Sequence, residues 1–142
     1  MSHSLRSKWW SLLPLAGALL GCGAIEAAPR EIPYASVTFD VTVPADTPTT
    51  TSVNVVGSEP VLGEGTAPGF HLRRGADGHY TGLVRLAVDT EVSFELRREE
   101  GWHPEVSAQG EPIPRRAFRV EGDMTVPVRV SRWGASEPIT GP

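Results

Sequence analysis

The chain has 142 residues, 21% of them charged, with 17 acidic against 13 basic side chains and a net charge of −4 with neutral histidines. That balance excludes the basic face that nucleic-acid phosphates require, and the length supports one modest core rather than two domains. A single cysteine leaves no internal disulfide to staple the fold.

In chain order, Arg6 and Lys8 precede Trp9, Trp10 and an apolar run from Leu12 to Leu20. A charged start followed by a short apolar stretch has the layout of a secretory signal, residues 1–21. The run is about half the length that a bilayer-spanning helix needs, and Pro14 interrupts it. Leu19-Leu20-Gly21-Cys22 closes it and resembles a bacterial lipobox. The resemblance implies diacylglyceryl transfer to Cys22, cleavage before it and acylation (palmitate) of the new amino terminus. Several acyl chains then give a stable anchor, since each buried methylene contributes about 0.8 kcal/mol. Gly23 stands where an aspartate would signal inner-membrane retention, so the expected place is the cell envelope, with the outer membrane favoured and the domain facing periplasm or exterior. Cleavage would leave 121 residues, more acidic by two charges and without a lysine, because Lys8 is the sole one.

Residues 22–33 lack periodicity and read as a flexible tether. From Tyr34 the chain alternates: Val37, Phe39, Val41 and Val43 share one face while Ser36, Thr38, Asp40 and Thr42 share the other, the period of a half-buried strand. Pro44 to Pro48 is a turn-rich exit, and Ser52 to Val56 a second, valine-rich strand. A Gly/Pro stretch, 57–69, separates it from a short third strand carrying Phe70 and Leu72. Ala76-Asp77-Gly78 suits a hairpin turn. A fourth strand runs from His79 to Leu86, with Tyr80, Val84 and Leu86 on a core face, and a fifth from Glu91 to Arg98. After a loop around Trp102, strands are expected at Ala117 to Val120 and Met124 to Val130. Pro127 marks this last one as an edge or an irregular strand. About seven strands with regular turn signals predict an all-β, immunoglobulin-like antiparallel β-sandwich over residues 34–134, followed by a frayed tail, 135–142. An open barrel is the alternative.

The order of these landmarks resembles the starch-binding domain family, carbohydrate-binding module family 20. The matching segments are Val37 to Pro44, Val53-Asn54-Val55-Val56-Gly57-Ser58, Ala76 to Tyr80, Val92 to Arg98, Gly101-Trp102 and Pro114-Arg115-Arg116-Ala117-Phe118-Arg119-Val120, together covering about 36–130. Such modules bind α-glucans without catalysis, stacking tryptophan faces on the C–H faces of glucose rings. The resemblance implies that Trp102 is the carbohydrate-binding residue. It also implies departures: no aromatic in Gly57 to Leu62, Glu95 at or near the family's ligand lysine, and Arg115 in place of a turn asparagine.

Other chemistry finds little footing. His71, His79 and His103 have no metal-ligand spacing, so no metal or cofactor is expected. No Gly-x-Ser-x-Gly elbow occurs, and the lone thiol is assigned to lipid, so no enzyme is expected. Trp133 reads as a cap on the sandwich edge. The expectation is a non-catalytic, lipid-anchored envelope protein with a starch-like carbohydrate-binding module, partnered by membrane lipid and a polysaccharide. The alternative is a structural or protein-interaction lipoprotein that kept the sandwich and lost the sugar site, with an envelope protein as its partner.

Overall fold

The computed structural model describes residues 29–99 and 102–136. Cys22, the signal segment, most of the tether and the tail beyond 136 lie outside the described residues.

Among the described residues nine strands form: β1 (Tyr34–Thr42), β2 (Val53–Gly57), β3 (Phe70–Arg74), β4 (Tyr80–Ala87), β5 (Glu91–Arg98), β6 (His103–Val106), β7 (Arg116–Arg119), β8 (Met124–Arg129) and β9 (Arg132–Trp133). Their hydrogen-bonded order is β8-β1-β4-β3-β2-β5-β6-β9, with β7 also pairing β5. The path curls over itself because β3 changes partners midway. Phe70, His71 and Leu72 pair with β2, whereas Arg73 and Arg74 pair with β4. One layer is thus β8-β1-β4 and the other β2-β5 with β6 and β7 in tandem along the free side of β5.

The alternation of β1 and β5 supplies the core between the layers. Val37, Phe39 and Val41 are fully buried on β1, as are Val92 and Leu96 on β5, and Phe94 is 2% exposed. Phe39, Phe94 and Phe118 meet edge to face, with centroids 5.3, 5.9 and 5.7 Å apart, so one aromatic trio ties β1 to β5 and β7. That geometry sets the positive ring edges against the negative faces. Tyr80 is buried, and its hydroxyl donates to the Thr51 carbonyl at 2.8 Å.

β2 does not alternate, because it is buried on both sides. The 57–69 segment folds back over its outer face through a 3-10 turn at Pro60–Leu62, and Leu62 is fully buried. Gly57 permits this approach: a Cβ there would lie 2.7 Å from Leu62 Cδ1. Gly69 has φ +71°, and a Cβ would lie 2.2 Å from the Val55 carbonyl oxygen.

Two features differ from the sequence expectation. β6 and β9 are additional strands, and β8 pairs with β1 in parallel rather than antiparallel. Pro127 stands opposite Asp40 on β8, which ends the sheet path, so the proline sits on an edge strand as expected.

Candidate functional site

Trp102 lies between the end of β5 and the start of β6. It is 43% exposed, a large apolar side chain left outside the core. Its backbone N–H donates to the Glu99 carbonyl at 3.3 Å, while the Glu99 N–H donates to the Ser52 carbonyl at 3.0 Å, which ties this corner to the chain entering β2. Polar groups stand nearby in sequence and space: His103 Nε2 is 2.8 Å from Glu99 Oε2, and His103 Nδ1 is 3.1 Å from the Gly134 carbonyl. An exposed indole held by an anchored backbone beside polar side chains can offer a flat apolar surface to a sugar ring.

Strand register decides what Trp102 shares its surface with. Phe94 of β5 pairs with Gly57 and with Arg116, whereas Arg98 pairs with Val53 and with His103. The 57–69 loop and the Pro114 to Arg116 turn therefore meet beside Phe94, midway along β5, where a Cβ on Gly65 would lie 3.9 Å from Arg115 Nη1. Trp102 belongs to the Arg98 end, four residues and about 13 Å away along the strand. The structure brings the loop and the turn together and leaves Trp102 apart from them. Between Phe94 and Arg98, the carboxylate of Glu95 accepts from Arg97 Nε at 3.0 Å.

Comparison with known proteins bears on this architecture. No family model matches the chain. An α-amylase from Niallia circulans is 33% identical over 99 residues, which is 69% of this chain but only 8% of the length of that curated relative. Among solved structures, the Hypocrea jecorina family 15 glucoamylase superposes with a TM-score of 0.58 at 17% identity, over 72% of this chain and 17% of that one. The family 20 CBM of the maltotetraose-forming amylase from Pseudomonas saccharophila STB07 superposes with a TM-score of 0.51 at 17% identity, over 67% of this chain and 99% of that domain. The fold is that of a family 20 carbohydrate-binding module.

Within this family 20 fold, Arg116 has a use that the sequence did not reveal. Its guanidinium grips Glu105 in a bidentate pair, Nε to Oε1 at 2.9 Å and Nη2 to Oε2 at 3.0 Å, and Nη2 also donates to the Arg129 carbonyl at 3.2 Å. The Glu105 side chain is 3% exposed. The hydrogen bond to Glu105 holds the Arg116 pKa above its usual value, against the opposing cost of burial. Glu105 lies on β6, Arg116 opens β7 and Arg129 ends β8, so one ion pair fastens three strands. The only sequence signal was a glutamate flanked by Pro104 and Val106 in a stretch too short to show a period.

A second pair sits on the outer face: His79 Nδ1 lies 2.7 Å from Asp40 Oδ1, and this hydrogen bond raises the histidine pKa above 6.5 despite partial desolvation, with Asp77 adding attraction. Both groups are exposed, and among the described residues no set of three His, Cys, Asp or Glu side chains gathers as a metal site.

Proposed function

We propose that the chain is a non-catalytic module that binds starch-like α-glucans through Trp102 and is held at the cell envelope by lipid on Cys22. The observation that carries the binding half is the exposed Trp102 on a family 20 fold. The superposition over nearly the whole of an isolated family 20 domain supports a binding rather than catalytic part, and amylase and glucoamylase relatives point to α-glucans as the ligand class.

The expected result is retention of the full chain on insoluble starch, with Trp102→Ala weakening it by about 1 to 3 kcal/mol, the scale of losing one central aromatic contact. Unchanged retention of the variant would remove Trp102 from the site. Lipidation has its own readout: Cys22→Ser should move the protein from the membrane fraction to the soluble fraction. Intact-mass measurement of the wild type should show the chain starting at an acylated Cys22, and an unmodified cysteine there would end the anchor proposal.

Specific features favour a second reading. The 57–69 loop has no aromatic side chain, and Glu95, paired with Arg97, presents a carboxylate near the position where the resemblance implies a lysine. A module that kept the sandwich and lost the sugar site would show no retention on starch, and the envelope partner would be a protein.

A further inference from the structure

We infer that the groove between the β1–β2 loop, the end of β5 and the β8–β9 connection is a separate ligand site selective for a carboxylate-bearing saccharide. The inference rests on the carbohydrate-binding reading but not on Trp102, which does not line this groove. The groove encloses about 420 Å³, the scale of a small-molecule site. Its walls include Asp46, Thr47, Arg98, Arg132 and Trp133, contributed by segments far apart in sequence.

Trp133 supplies the apolar surface. It packs against the core while still lining the groove, and its Nε1 donates to Thr47 Oγ1 at 3.0 Å. The ring is therefore fixed before any ligand arrives, so stacking a sugar on it costs little further ordering.

Arg98 supplies the charge. Its Nε is buried and finds no hydrogen-bond partner among the described residues. Its Nη1 is 3.6 Å from Glu99 Oε1, beyond hydrogen-bonding distance, and the other oxygen of Glu99 is engaged by His103 at 2.8 Å. Buried donors without partners are rare in folded proteins and call for an explanation. Arg132 is exposed on the same wall, and neither it nor Asp46 forms an ion pair among the described residues.

The groove lining thus carries two guanidinium groups against the one carboxylate of Asp46, with Glu99, the ion-pair partner of Arg98, outside the lining, in a chain that is acidic as a whole. A planar guanidinium fork matches a carboxylate, and Asp46 is left to accept from sugar hydroxyls. Its charge also makes a doubly charged phosphate a poorer fit than a single carboxylate. A uronic-acid residue stacked on Trp133 would set its carboxylate toward the guanidinium ends of Arg98 and Arg132 and its hydroxyls toward Asp46.

The test is calorimetric titration of the full chain with trigalacturonate and, in parallel, neutral galactotriose. Trigalacturonate should bind roughly tenfold more tightly, and the preference should shrink as salt is raised. Arg98→Gln and Arg132→Gln should each erase the preference; Arg132 is exposed, so its variant stays informative if Arg98→Gln fails to fold. Trp102→Ala should leave trigalacturonate binding unchanged, which separates failure here from failure of the starch site. Equal affinity for the charged and neutral trisaccharides, absence of binding to both, or loss of trigalacturonate binding in Trp102→Ala would overturn the inference.

Discussion

Phe94→Ala should destabilise the domain by about 3 to 5 kcal/mol, the cost of emptying a buried phenylalanine site. Phe94 is 2% exposed and is the member of the aromatic trio on the central strand of its layer, 5.3 Å from Phe39 and 5.7 Å from Phe118. Removing the ring takes an edge-to-face partner from both neighbours and leaves a cavity between the layers, where β1 and β5 already fix the backbone and limit collapse. Against a total stability of about 5 to 15 kcal/mol, this is a large fraction. For a domain of about 100 residues the melting temperature should fall by at least about 12 °C. Urea unfolding of the wild type, Phe94→Ala and Phe94→Leu measures it, with Phe94→Leu losing less because it refills part of the volume. Phe118 is only partly buried, so Phe118→Ala should cost less than Phe94→Ala. A loss under about 1 kcal/mol for Phe94→Ala would mean that the trio does not hold the layers together.

The two strands that carry Phe39 and Phe94 were also the most legible. Val37-Phe39-Val41 and Val92-Phe94-Leu96 alternate with polar residues because one face of each strand is solvated, and only such a half-buried strand writes a period of two into the sequence. β2 is covered on both sides, so Val53, Val55 and Val56 showed β-branched composition but no period. β6 and β9 are too short to display one, and Pro104 weakens the first of them further. Pro127 announced an edge strand through its missing donor, yet nothing local tells whether an edge strand pairs in parallel, since that depends on how the sheet closes. The candidate site divides the same way. The loop position of Trp102 could be read, but its exposure was left open by the sequence, and its separation from the 57–69 loop depends on cross-strand register. The groove at Trp133 joins four segments distant in sequence and leaves no contiguous motif.

Arg116→Ala should cost about 3 kcal/mol, because it strands a buried carboxylate at Glu105 rather than merely deleting a surface contact. The low end of the range for broken buried pairs applies, since the Arg116 side chain is 35% exposed and water can reach part of the vacated space. Glu105→Ala should cost less than Arg116→Ala, because a partly exposed guanidinium left alone can turn toward solvent whereas a 3% exposed carboxylate cannot. Glu105→Leu combined with Arg116→Leu should recover much of the loss, as apolar pairs of similar volume commonly match a buried ion pair. Denaturant unfolding of the two alanine variants and the double leucine variant checks all three expectations, and equal small losses in both alanine variants would refute the asymmetry. The consequence reaches back to the turn that resembled the family's Pro-Asn-Arg. Because its arginine fastens β6, β7 and β8, a domain that had lost every sugar contact would still require Arg116. That residue therefore reports the fold, and the ligand must be argued from the exposed Trp102 and from the guanidinium groups beside Trp133.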